Sequence, residues 1–351
     1  MNKILVINAL LKEKNRIDFE KILDKYLKNE HNNIEYLYVK KINNMILNLN
    51  KYTHLIISGS AASVLDNNIW DKSLSKIVMS FINNKKPVLG ICYGHQFIAK
   101  TLNGIESIGK SLNPEVGFTK VNIKPNEIFD GIKNPVFSVA HFDEVKFLSN
   151  EFNIIADSKN TKIQAYQYRN LPVWGIQFHP EYGIEDTNIN IKDLRKINEK
   201  VNIENDLEYI NKIEQNMLIF NNFIKSSDII CIRPHHILCF QTYIGKGYSK
   251  DFVDNMNKIV GSLRKNSEQL VRLVKGTEHI CNKCPNNIDG VHCESDDLVN
   301  KMDKLVLDYL GIDYGIFKYS ELLKMKNDKI NLEAHKNICN NCQWYELCIN
   351  E

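Results

Sequence analysis

Short apolar runs separated by amphipathic stretches set the rhythm of the first hundred residues. Lys3–Asn8, Ile34–Val39 and His54–Ser58 are apolar runs of strand length, whereas Asp18–Lys28 and Trp70–Ile82 place apolar residues at helical spacing. Strands alternating with helices in this way predict a doubly wound α/β domain built on a parallel sheet. A further buried-type strand, Pro87–Ile91, runs straight into a helical pattern with Phe97, Ile98 and Leu102 on one face. From Val116 to Gln177 the pattern shifts to short strands with Pro and Gly turns, and Val173–Glu181 reads as one more strand. Residues 184–212 are rich in Asn, Asp, Lys and Glu and predict a polar insertion or lid, most simply a solvated surface helix. Beyond residue 225 the apolar spacing is helical over Phe252–Leu263 and Leu298–Leu310, so a smaller, mainly α-helical second domain is expected over 229–351.

The join at Cys92 carries the candidate chemistry. Gly90 lies two residues before it and Gly94 two after. A sharp strand-to-helix turn forces its flanking backbones together and leaves no room for Cβ atoms, which is why glycines belong there. Such an elbow lifts the thiol clear of the sheet and sets it at a helix N-terminus, where unpaired N–H groups and the helix dipole favour the thiolate. A cysteine nucleophile also needs a base and a carboxylate to orient that base. His179 and Glu181, in the stretch VWGIQFHPE, supply the pair. Open α/β sheets bind ligands at the carboxyl ends of their strands, so the site is expected between the loops at 59–64 and 92–96.

Five motifs follow one another: HLIISGS (His54–Ser60), GICYGHQ (Gly90–Gln96), SVAHFDEV (Ser138–Val145), QFHPE (Gln177–Glu181) and FNNF (Phe220–Phe223). In this order they resemble the class I, triad-type glutamine amidotransferases over residues 1–225, most of all the glutaminase part of GMP synthase. The resemblance implies a flavodoxin-like fold, a catalytic triad of Cys92, His179 and Glu181, and an oxyanion hole from the N–H groups of Gly59 and Tyr93. It also implies that Ser60, Gln96 and the backbone around His141 and Phe142 hold glutamine. Where the family has Ser-Gly-Gly-Pro, this chain has Ser58-Gly59-Ser60-Ala61. Serine enters positive φ less freely than glycine, so this loop is expected to need a second component to fix its shape. The Ser-Gly-Gly-x-Asp-Ser phosphate loop of GMP synthase is absent after residue 225. The ammonia is therefore expected to reach an unidentified acceptor or synthetase partner.

Gly104–Ser111, GIESIGKS, satisfies the phosphate-loop pattern letter for letter. It follows a helix, and Leu112-Asn113-Pro114 stops a helix from forming after it, so it reads as a decoy. Charge argues against nucleic acid as a partner: 45 Lys and Arg against 42 Asp and Glu overall, 29 against 25 up to residue 225 and 16 against 17 after it. No apolar run approaches the ~18 residues of a membrane helix. Met1-Asn2-Lys3 leads at once into a strand rather than a signal peptide, so no membrane association and a cytoplasmic location are expected.

Eight of the nine cysteines lie beyond residue 229, as Cys231, Cys239, Cys281-x2-Cys284-x8-Cys293 and Cys339-x2-Cys342-x5-Cys348. In a reducing compartment such spacing signals metal rather than disulfides, because each Cys-x2-Cys pair can bite one centre from a single turn. Cys281, Cys284, Cys339 and Cys342 are the expected main ligands, Cys293 and Cys348 the next, with Cys231, Cys239, His235 and His236 as further candidates. Six thiolates in two sets exceed what one tetrahedral zinc uses, which favours iron–sulfur, with zinc as the alternative. IRPHHILC (Ile232–Cys239), GKGYS (Gly245–Ser249) and the two clusters resemble a family of cysteine-rich domains of unknown function. That resemblance implies an iron–sulfur cluster.

The expected function is therefore hydrolysis of glutamine to glutamate and ammonia, with the ammonia passed on. Two alternatives stay open: a γ-glutamyl hydrolase or peptidase using the same triad, and a metal- or redox-sensing module whose glutaminase-like domain is a non-catalytic scaffold.

Overall fold

In the computed structural model, which describes residues 2–28, 31–133, 135–195, 202–204 and 215–349, the early apolar runs become strands. These are β1 (Asn2–Asn8), β2 (Asn32–Tyr38), β3 (His54–Ile57) and β4 (Val88–Ile91), joined through helices α1 (Glu13–Leu27), α2 (Asp71–Asn83) and α3 (Tyr93–Asn103). Then follow β5 (Ile108–Lys120), β6 (Asn122–Ile123), β7 (Val136–Val145), β8 (Phe152–Asp157), β9 (Ala165–Tyr168) and β10 (Val173–Ile176). Eight strands form one sheet in the order β2-β1-β3-β4-β10-β9-β8-β6. Pairing is parallel from β2 to β10 and antiparallel from β9 outward.

Ile4, Leu5, Val6 and Ile7 are all fully buried. That is the signature of a parallel strand covered on both faces, and it explains why the run reads as continuous rather than alternating. Phe19 and Leu23 of α1 enter the same core as Trp174 of β10. Helix α4 (Ile184–Arg195) buries Thr187 and Ile191 and is otherwise largely solvated where its side chains are described. The remainder of the predicted polar lid lies outside the described residues, apart from β11 (Asn202–Glu204), which joins β5 and β7 in a three-stranded sheet. The closing helix α5 (Leu218–Lys225) adds Ile219, Phe220 and Phe223 to the core. Residues 104–111 form a short turn of 3-10 helix and the start of β5, so the phosphate-loop decoy does not open a helix.

Register places the site. Gly90 of β4 pairs with Ile57 on one side and Gly175 on the other. Gly59 and Cys92 therefore leave the sheet level with each other, two residues beyond that row, and His179 follows four residues after Gly175.

The chain divides into two compact units. One comprises residues 1–81, 86–168 and 172–227, and the other comprises 228–351 with 82–85 and 169–171. The second unit contains β12 (Ile230–Ile232), α6 (His236–Thr242), α7 (Lys250–Lys265), β13 (Leu270–Leu273), α8 (Asp296–Leu310), β14 (Ile316–Lys318), α9 (Tyr319–Lys329), α10 (Leu332–Cys339) and α11 (Tyr345–Ile349). Ser249 caps α7 by accepting the Phe252 N–H at 3.2 Å. The buried stripe Phe252, Met256, Ile259, Val260 and Leu263 then packs α7 onto the core. Each such side chain stabilises by roughly 1.5–3 kcal/mol relative to exposure. The strands β12, β13 and β14 form a small sheet that the apolar pattern does not announce, because runs of three or four residues carry no period. Among the described residues no helix is long and apolar enough to cross a membrane.

Candidate active site

Cys92 is the N-cap of α3, with φ 50° and ψ −97°. A side-chain-bearing residue held there stores about 1–3 kcal/mol of strain. The cost is offset locally: the Cys92 N–H donates to Ile176 O at 2.8 Å, and the Gln96 N–H donates to Cys92 O at 3.1 Å. Close approach demands both glycines. A Cβ on Gly90 would stand 2.4 Å from the backbone of Gly94, and one on Gly94 would stand 2.4 Å from Ile57 O. The thiol is almost wholly buried, and its Sγ donates to Ala140 O on β7 at 3.8 Å. The first-turn N–H groups of α3, including that of Tyr93, have no helical acceptor. Trp70 Nε1 donates to the Tyr93 hydroxyl at 2.9 Å and pins the residue after Cys92.

The fold brings His179 and Glu181 close to Cys92. The His179 N–H donates to Ser138 O at 2.8 Å, which fixes its backbone against β7. Its Nδ1 lies 2.8 Å from Glu181 Oε1, and both side chains are buried. Burial pulls the imidazole pKa down, but the Glu181 carboxylate and the Cys92 sulfur outweigh it and raise it to about 10. The raised value favours the imidazolium form of His179. Tyr182 stacks on the His179 ring at 4.7 Å and 14°. Sequence reasoning missed this contact, since nothing in a spacing pattern announces a ring stack between near neighbours.

Gly59 borders the Cys92 and His179 side chains: a Cβ there would lie 2.8 Å from His179 Cε1 and 3.6 Å from Cys92 Cβ. Neither Gly59 nor Ser60 has positive φ, so the loop keeps an ordinary backbone without a second glycine. Side chains hold it instead. Ser60 Oγ donates to Ala9 O at 2.7 Å and accepts the Ala62 N–H at 3.0 Å, and Ser63 Oγ donates to Asp143 Oδ2.

The residues expected to hold glutamine are differently engaged. Gln96 Nε2 donates to Asp143 O at 2.7 Å and to Gln177 Oε1 at 3.1 Å, so both amide hydrogens are taken. His141 faces Asp143 O and Glu115 Oε2 with its two ring nitrogens, at 3.2 and 3.1 Å. Burial raises the Glu115 carboxyl, but hydrogen bonds from His141 and Thr161 bring it below its ordinary range. The Ser60, Gln96 and His141 side chains are therefore engaged within the protein, and Phe142 is half-buried.

The sequence pattern described as Glutamine amidotransferase class-I matches residues 15–194. The chain belongs to the class I glutamine amidotransferase family. Residues 247–348 match a second family, described as a protein of unknown function (DUF1284). The glutamine-hydrolyzing GMP synthase 1 of Bacteroides thetaiotaomicron is 39% identical over 129 residues, 36% of this chain and 24% of that protein. The glutamine-hydrolyzing GMP synthase subunit of Sulfurisphaera tokodaii is 33% identical over 145 residues, 41% of this chain and 74% of that one. The chain thus spans about a quarter of the Bacteroides relative. A solved glutamine amido transferase from Methylobacillus flagellatus superposes with a TM-score of 0.51 at 16% identity, covering 64% of this chain and 95% of that one. That likeness is one of fold.

Outside the amidotransferase domain, the expected four-cysteine centre of Cys281, Cys284, Cys339 and Cys342 is not assembled. Among the described residues no three His, Cys, Asp or Glu side chains stand close enough to hold a metal ion. The thiols sort by their elements instead. Cys281 Sγ donates to the buried Glu278 at 3.4 Å, Cys284 neighbours Cys293, and Cys231 is fully buried in β12. Cys339, Cys342 and Cys348 gather where α10 turns into α11, and α11 packs on α6, which carries Cys239. Spacing along the chain does not reveal that α11 packs on α6.

Proposed function

We propose that the first unit hydrolyses glutamine through a Cys92–His179–Glu181 triad. The observation that supports this most directly is the buried His179–Glu181 pair at 2.8 Å beside a cysteine held at φ 50° on a strand-to-helix elbow. The Cys92 thiolate attacks the side-chain amide carbon, a C–S bond forms, and the carbonyl electrons move to the oxygen. The N–H groups of Gly59 and Tyr93 receive that oxyanion; such donors typically contribute about 2.7–4 kcal/mol each. Imidazolium His179 gives its proton to the amide nitrogen as the C–N bond breaks, and ammonia leaves. The neutral imidazole then takes a proton from water, which attacks the thioester; the C–S bond breaks and glutamate is released.

Relatives named as glutamine-hydrolysing subunits support a further step, in which the ammonia is passed to a synthetase partner or other acceptor. The deciding experiment measures glutamate release by the purified full chain from glutamine and, separately, from a γ-glutamyl peptide. Release from glutamine alone supports the amidotransferase; preference for the peptide supports a γ-glutamyl hydrolase; release from neither favours a non-catalytic scaffold.

A further inference from the structure

The turn after His179 sets a second ring against the imidazole. His179, Pro180, Glu181 and Tyr182 form a tight turn in which the Tyr182 N–H donates to His179 O at 3.4 Å. Proline in the second position presets the backbone for such a turn. Residues 179 and 182 are thereby brought together, with ring centroids 4.7 Å apart and planes 14° from parallel.

Both ends of this arrangement are tied to one residue of β7. The His179 N–H donates to Ser138 O at 2.8 Å, and beyond Tyr182 the first turn of α4 is held to the same serine, since Thr187 Oγ1 lies 2.9 Å from Ser138 Oγ. Asp186 secures the start of that helix by accepting the Gly183 N–H at 3.0 Å. Tyr182, itself half-buried, therefore sits between anchored neighbours. On the imidazole side, Glu181 Oε1 stands 2.8 Å from Nδ1, and a Cβ on Gly59 would come within 2.8 Å of Cε1. The imidazole has little room to turn.

An aromatic face carries partial negative charge and attracts a cation within about 6 Å of its centroid. The stack thus favours imidazolium over imidazole without supplying a formal charge. Burial and then the nearby Glu181 push the Tyr182 phenol above its ordinary value, so this ring stays neutral while His179 titrates. The other ionisable groups around the imidazole are Glu181 and, on the elbow, Cys92, with Asp186 of α4 towards Tyr182. From β7 come Ser138 and Ala140, which carry no charge.

We propose that Tyr182 is a positioning residue for His179: its π face keeps the imidazole aligned with Glu181 and favours the protonated ring. The inference rests on the proton transfers assigned to His179 above. In that scheme the imidazolium protonates the departing nitrogen, so a residue that favours it acts on kcat rather than on the binding of glutamine.

The test compares Tyr182→Phe, which keeps the stack, with Tyr182→Leu, which keeps apolar cover but has no π face. Tyr182→Phe should stay within about twofold of the wild type. Tyr182→Leu should lower kcat about 10-fold with KM little changed, and the alkaline limb of its pH profile should move down by about 0.4–1.5 pH units, the range expected for a cation–π contact. Equal behaviour of the two variants, or an unmoved limb in Tyr182→Leu, would overturn the inference. Because Tyr182→Leu can disturb the fold, phenylalanines of increasing ring fluorination are also placed at position 182, where they keep the shape of the ring while draining charge from its face. The titration of His179, followed by NMR of the full chain with labelled histidine, should then move to lower pH as fluorination rises; a titration that ignores fluorination overturns the inference. This measurement uses no substrate, so it decides the stack separately from the glutaminase reading, which fails if the wild type releases no glutamate.

Discussion

Replacing Gly59 by alanine tests the packing around the triad with one methyl group. The added Cβ would lie 2.8 Å from His179 Cε1, about 0.6 Å inside the 3.4 Å at which ordinary contact begins. The ring cannot simply retreat, since Nδ1 is tied to Glu181 at 2.8 Å and one face is covered by Tyr182. Either that hydrogen bond lengthens or the imidazole tilts away from the thiol. A misplacement of 1 Å at a reacting group can cost about 100-fold, so a shift of over half that size should lower kcat/KM roughly 10- to 100-fold. That corresponds to about 1.4–2.7 kcal/mol of transition-state stabilisation. The backbone itself adds no strain, because Gly59 does not have positive φ, so any loss of stability comes from the clash with His179. The assay is glutamate release over a range of glutamine concentrations, with a thermal melt of the same sample. A variant whose kcat/KM stays within about twofold of wild type would show that Gly59 does not limit the approach of His179.

Cys92→Ala should abolish glutamate release and leave the melt intact, because alanine fits the elbow; residual activity above about a tenth of wild type would remove Cys92 from the nucleophile's role. Glu181→Gln should lower turnover less than Cys92→Ala does, since an amide still orients His179 but does not stabilise its charge; equal losses would mark Glu181 as a structural requirement. With its pKa raised from 6.5 to about 10, His179 contributes stability that is complete below pH 6.5 and lost as the pH rises through about 10. Activity should therefore persist at pH 9, and its alkaline limb should move to lower pH in Glu181→Gln; an unmoved limb would assign it to another group.

The elbow and the cluster of Cys92, His179 and Glu181 were legible in the chain because their geometry is local. Gly90 and Gly94 flank Cys92 within one turn, and His179 and Glu181 sit two residues apart at the end of a single strand. The strand runs were equally legible, since burial on both faces of a parallel sheet writes itself as continuous apolar sequence. The surroundings of the triad were not. Gln96 reaches Gln177 across 81 positions, and Ser63 reaches Asp143 across 80. Both contacts depend on which strands the crossovers make adjacent, a choice that no short window contains. The hydroxyls of Ser60 and Ser63 likewise replace the missing glycine and proline of the first loop, and only their partners at Ala9 and Asp143 reveal it. In the second unit, sequence spacing paired Cys281-x2-Cys284 with Cys339-x2-Cys342, whereas the fold brings Cys239 of α6 to Cys348 of α11. Spacing records which thiols can share one turn; which turns then face each other is decided by the packing of apolar helix faces into a common core, and only the tertiary structure carries that information.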